Sequence, residues 1–166
     1  AFNNEEVQKM VNHTVECMSK ESLDIQIQKY GSMEKYKEHL VSGFANEQAT
    51  ADLLKWYGSK EKAIEAVMQT TGNTEEIKQE QEENAKIYKQ FMTAKEADDM
   101  DMAHSAVELL AENYKAMFAL DNARNILLDL AKEYLQSEKL AEVTDNQFGK
   151  GCSEYVAHAI QHYYGV

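Results

Sequence analysis

The sequence contains no proline, only seven glycines and two cysteines in 166 residues. Without proline and with few glycines, the tight turns of a strand-rich fold have little to form from, while abundant Glu, Lys, Ala, Gln, Met and Leu favour long helices. The expected class is all-α, as a compact multi-helix arrangement. Cys17 and Cys152 lie far apart within helical patterns, and two such thiols in a reducing compartment stay free. Basic charge is also short: 17 Lys and Arg stand against 29 Asp and Glu, a net charge of −12. That balance repels a phosphate backbone unless the cations cluster on one face, and no basic cluster or basic amphipathic helix is present. No apolar run approaches a membrane span, and the start Ala1-Phe2-Asn3-Asn4-Glu5-Glu6 has no signal-peptide pattern. A cytoplasmic chain without membrane or direct nucleic-acid partners is expected. The first residue is Ala1 rather than Met, which fits a segment of a longer protein.

What is present is helical periodicity with clear punctuation. Over residues 5–18, Val7, Met10, Val11, Val15 and Met18 form one stripe, with Asn4 as the expected cap. This helix covers a core or ends a dimerisation coiled coil. A second helix, 22–30, stops at Tyr30-Gly31. A third, 33–42, starts after Ser32 and is closed by Gly43. Tyr57-Gly58-Ser59-Lys60-Glu61-Lys62 repeats the pattern of Tyr30-Gly31-Ser32-Met33-Glu34-Lys35, which reads as shared capping chemistry rather than a repeat array. After Gly72, an Asn73-Thr74-Glu75-Glu76 box opens a long polar helix to about Lys95. The acidic knot Glu96, Asp98, Asp99 and Asp101 precedes a core helix with the stripe Ala103, Val107, Leu110, Tyr114 and Met117. A helix over 122–135, a polar break and a last amphipathic helix through Cys152, Tyr155, Val156, Ala159, Ile160 and Tyr163 complete the chain. No linker divides 1–166, which reads as one domain.

Candidate chemistry is sparse. Asp101 and His104 share a face, but Asp98, Asp99 and Asp101 at a helix start are accounted for by capping. Glu154, His158 and His162 align on the last helix, a spacing that suits a transition metal or a solvated face near a helix C-terminus. No His-Glu-x-x-His motif supports the metal reading, and no metal or other cofactor is assigned. Both cysteines lie on apolar faces without a catalytic context, and glycine-rich phosphate loops are missing, so the chain does not read as an enzyme. The aromatic residues are more suggestive: nine tyrosines, five phenylalanines and Trp56. Tyr57, Tyr88, Phe91, Tyr114, Phe118 and Tyr134 are the candidates to line a cleft for a flat, partly polar ligand, since tyrosine offers an apolar ring and a hydroxyl. The competing reading of the same residues is core packing.

The last third carries a family resemblance. The spacing Leu130-x3-Tyr134-x3-Glu138-Lys139-Leu140-x4-Asp145, followed by Gly151-x3-Tyr155-x3-Ala159-Ile160, resembles the C-terminal signature of TipAS-like domains, the drug-recognition domains of MerR-family transcription activators. Residues 74–163 carry the best match. The resemblance implies a globin-like helical effector-binding domain whose ligand is a thiopeptide or other hydrophobic drug. It also implies a DNA-binding helix-turn-helix outside this chain and a homodimer in the full-length protein. The family motif has Asp, Arg and Phe where this chain has Ser137, Lys139 and Leu140, and a histidine where it has Glu112. The cysteine used by a drug-capturing member has no counterpart, Asp129 standing at its position, so the resemblance implies reversible binding. Two further readings remain from the residues: a stand-alone drug-sequestering protein, and a metal- or haem-binding helical domain using His158 and His162.

Overall fold

The computed structural model describes residues 2–69 and 74–166, apart from the side chains of Thr74 and Ile77. Ten helices are present among the described residues: α1 (Asn4–Glu16), α2 (Lys20–Tyr30), α3 (Met33–Ala45), α4 (Glu47–Tyr57), α5 (Lys60–Gln69), α6 (Thr74–Ala97), α7 (Met100–Phe118), α8 (Arg124–Gln136), α9 (Glu138–Phe148) and α10 (Cys152–Tyr164). No strand occurs among these residues, and the all-α expectation holds. The chain forms two compact units, Ala1–Ile77 with Phe118–Leu120, and Lys78–Met117 with Asp121–Val166.

In the first unit the helix ends follow from local chemistry. Asn3, not Asn4, caps α1: its side chain accepts from the Glu6 N–H at 2.8 Å while Glu6 accepts from the Asn3 N–H at 3.0 Å, a complete capping box. The two Tyr-Gly-Ser turns adopt one geometry. Gly31 and Gly58 end α2 and α4 at φ 96° and 84°, the left-handed region where glycine carries no side-chain penalty. Ser32 and Ser59 then accept from the Lys35 and Lys62 N–H groups. The core here is Phe2, Val7, Met10, Val11 and Ala63, with Leu40, Phe44, Leu53 and Tyr57 packed against it. α1 therefore covers a core, seated on α3 and α5.

One boundary differs in a way that shapes the site. Gly43 does not close α3, which runs two residues further to Ala45. Asn46 alone joins the next helix, capping α4 by accepting from the Ala49 N–H at 3.0 Å. Buried Thr50 fixes the corner, its hydroxyl donating to the carbonyls of Asn46 at 2.9 Å and Phe44 at 3.3 Å. A polar side chain that satisfies the last carbonyls of one helix thus sets where the following helix departs.

The second unit is built on the stripes of α6, α7, α8 and α10. Phe91, Ala94, Ala103, Val107, Leu110, Leu127, Ala131, Val156 and Ile160 are buried, and α10 packs on α8 and α9. Asp99 accepts from the Met102 N–H at 3.1 Å at the start of α7, as the capping reading of the acidic knot expects. The Asn73 cap expected before α6 lies outside the described residues. The polar break expected after α8 is itself the helix α9. Ser137 starts it by accepting from the Leu140 N–H at 3.3 Å, and the spacing of Leu140, Thr144 and Phe148 gives it a face to bury.

Candidate functional site

Six aromatic residues were singled out from the sequence, and they fall in both units. In the second unit, Tyr88, Phe91 and Tyr134 are buried and meet. The Tyr88 and Tyr134 hydroxyls are 2.7 Å apart, and the Thr144 hydroxyl donates to that of Tyr134 at 3.2 Å. Phe91 meets the Tyr88 ring edge-on at 6.0 Å, and Phe148 tilts against it at 5.0 Å. Burial pushes the Tyr88 hydroxyl well above its ordinary pKa, with Tyr134 and Tyr114 adding to the shift. Tyr134 is raised by burial as well, and half-buried Tyr114 is pushed up to about 12, again by burial first. These hydroxyls stay protonated near neutrality and act as hydrogen-bonding groups. In the first unit the Tyr57 hydroxyl donates to the Phe118 carbonyl, while the Phe118 ring is exposed.

The candidate cavity lies elsewhere in the first unit. A space of about 360 Å³ opens between α3 and α4, lined by His39, Leu40, Gly43 and Phe44 from one helix and Ala49, Asp52, Leu53 and Trp56 from the other. The spacing of these residues is that of two helix faces turned toward each other, held by the Asn46 and Thr50 corner. Leu40, Phe44 and Leu53 reach both the cavity and the core, so the lining is anchored. Polar character is confined to His39 and Asp52. His39 stacks on Tyr30 with ring centroids 4.6 Å apart, and Asp52 accepts from Gln48 at 3.1 Å. Such a cavity can hold an apolar body and offer it an imidazole and a carboxylate. Neither Trp56 nor Phe44 is among the six aromatic candidates that the sequence points to. The pattern that marks them is two apolar faces, 40–44 and 49–56, joined through one capping asparagine.

A second cavity, about 310 Å³, is lined by Lys95, Gly151, Glu154, Tyr155 and His158 in the second unit. It is more polar, and its ammonium group is engaged: Lys95 Nζ donates to the Lys150 carbonyl at 2.9 Å. His158 approaches Glu154 at 3.7 Å on the exposed face of α10. His162, expected on that same face, pairs instead with His104 of α7, with Nε2 of His104 2.8 Å from Nδ1 of His162. Among the described residues no group of three or more His, Cys, Asp or Glu could hold a metal ion, and no helix is long and apolar enough to cross a membrane.

An apolar cavity between two helices has the size and lining that suit a small molecule. The profile of the TipAS antibiotic-recognition domain matches residues 26–163, and the chain belongs to that family. Comparison with curated proteins and with solved structures finds no match. The matched span includes both helices that line the 360 Å³ cavity.

Proposed function

We propose that this domain is the ligand-sensing part of a cytoplasmic MerR-type transcription activator, and that it binds a hydrophobic, drug-like or thiopeptide-type molecule reversibly in the α3–α4 cavity. The observation that carries the reading is the cavity itself. Its volume of about 360 Å³ falls in the range of roughly 300–1,000 Å³ typical of small-molecule sites. Four large apolar side chains, Leu40, Phe44, Leu53 and Trp56, supply burial, and His39 and Asp52 supply orientation. Tyr57 packs on the core of this unit and its hydroxyl donates to the Phe118 carbonyl, a structural role. Tyr88, Phe91, Tyr114 and Tyr134 serve the packing of the second unit. DNA contact and dimerisation belong to parts of the regulator outside this chain, in keeping with its net charge of −12.

Trp56 is the chain's sole tryptophan and lines the cavity, so its emission reports on occupancy. Titration with a thiopeptide antibiotic and with a panel of hydrophobic drugs should shift or quench that emission saturably. Ala49→Gln, at a lining position outside the core, should weaken the response without changing the fold, as seen by circular dichroism. Calorimetric binding that leaves the Trp56 emission unmoved and survives Ala49→Gln would place the site elsewhere.

A further inference from the structure

Two histidines 58 positions apart in the chain come together on the surface of the second unit. His104 stands one turn into α7 and His162 in the last turn of α10. Nε2 of His104 and Nδ1 of His162 face each other at 2.8 Å, and the ring centroids are 4.9 Å apart. Tyr163 meets the His104 ring edge-on at 5.6 Å, and its hydroxyl donates to Glu108 at 3.4 Å, which braces the pair on one side. His104 is half-buried and His162 exposed, so the junction is reachable from solvent.

We propose that His104 and His162 form a site for one divalent transition ion of the zinc, nickel or copper class, bridging α7 and α10. The geometry argues for it directly. An ion bound at about 2.0–2.1 Å to two imidazole nitrogens, with a right-angle to tetrahedral N–M–N angle, holds those nitrogens about 2.9–3.4 Å apart. The two nitrogens already face each other within a few tenths of an ångström of that span, so binding requires a small separation of the rings. At present one ring donates a proton and the other accepts it. The ion takes the place of that proton, which moves to the other nitrogen of its own ring by exchange with water, so both rings bind as neutral ligands with no net proton released. Imidazole selects borderline metals over magnesium and calcium, which prefer oxygen. With two protein ligands, the remaining positions are filled by water, and the site is an exchangeable one.

The experiment is calorimetric titration of the tag-free full chain with NiCl2 and with ZnCl2, with MgCl2 as the reference. One nickel or zinc ion per chain and no magnesium binding are expected. His104→Gln and His162→Gln should each weaken binding by at least the roughly 10–100-fold that loss of an outer-shell partner costs a metal site. His158→Gln should leave it unchanged. Ring spectra of the wild-type protein provide a reading independent of the variants. Zinc should shift the signals of two of the five histidines, those missing from the two single variants. Absence of binding, undiminished binding in either variant, or loss of binding in His158→Gln overturns the proposal.

Discussion

The hydroxyl of Tyr88 on α6 lies 2.7 Å from that of Tyr134 on α8, inside the second unit and away from solvent. Thr144 on α9 donates to the same Tyr134 oxygen, so three helices are tied through one atom. Tyr134→Phe keeps the ring and removes that atom, leaving two buried hydroxyls without their partner. Such loss costs about 1–3 kcal/mol. Urea unfolding should show a decrease of that size for Tyr134→Phe. The double variant with Tyr88→Phe should lose less than the sum of the two single losses, because the second substitution removes a group already stranded. Strict additivity would show that the two hydroxyls do not depend on each other.

The same burial sets a pH limit. A tyrosine whose folded pKa is raised stabilises the fold fully below its ordinary value of 10.0, and that contribution is lost as pH rises through the folded value. Tyr88, Tyr114 and Tyr134 are all raised, Tyr114 to about 12. The unfolded chain therefore releases these protons first, and stability should decline between about pH 10 and pH 12. Tyrosinate absorbance followed together with circular dichroism checks this. If the buried tyrosines ionise while helicity is fully retained, their burial does not control the alkaline transition.

These tyrosines also show how much the sequence could say. Helix identity was legible because capping residues sit where the apolar period starts and stops, as at Ser32 and Gly58. Family membership was legible through Tyr134, Asp145 and Gly151. The helix α9 was hidden because its polar stretch has only one well-buried residue, Thr144, and its start depends on Ser137, which also ends α8. The α3–α4 cavity was hidden for another reason. Gly43 reads as a helix stop, yet inside α3 it leaves part of the cavity wall without a side chain. Periodicity reports which face is apolar, but not whether two apolar faces close on each other or leave space between them. The pairing of His104 with His162 depends on how α7 and α10 meet, which spacing along either helix alone does not contain.

Asp145 and Gly151 now have physical roles. The N-cap of α10 is Gly151, which has no side chain to offer, and Asp145 substitutes by accepting from the Ser153 N–H at 2.8 Å. Asp145→Ala should cost about 0.5–2 kcal/mol, the range for losing a helix cap, and Asp145→Asn should recover most of it. Gly151 sits at φ 80°, where an added Cβ would lie 2.7 Å from Lys95 Nζ. Gly151→Ala should cost about 1–2 kcal/mol from the left-handed backbone. Shortening Lys95 should relieve little of that cost, because a lysine terminus can move aside. Full rescue by Lys95→Ala would assign the cost to the contact instead.

The two thiols should differ in reactivity. Cys152 is fully buried, and burial, with Asp145 adding to it, pushes its pKa to about 11 against a smaller opposing effect of Lys95. Cys17 is half-buried, its sulfur 3.4 Å from Nε2 of His13. A thiol needs both access and thiolate character to react. A maleimide at neutral pH should therefore label Cys17 alone in the native protein and both thiols in urea, read by peptide mass. Native labelling of Cys152 at a comparable rate would indicate that the start of α10 opens far more readily than its packing implies.

Gly43 separates ligand recognition from stability. It lies within α3, lines the cavity, and a Cβ placed on it would meet nothing within 4 Å. Gly43→Ala should therefore stabilise the domain, by up to about 0.5–1 kcal/mol, because alanine loses less backbone freedom in a helix. One methyl group takes little of about 360 Å³, so ligand affinity should change little. Gly43→Phe places a ring in the same space. If the cavity is the recognition site, that variant should keep its helicity and thermal stability while losing the Trp56 response to every hydrophobic ligand that the wild type binds. Retained binding by a folded Gly43→Phe protein would show that the ligand does not need this space.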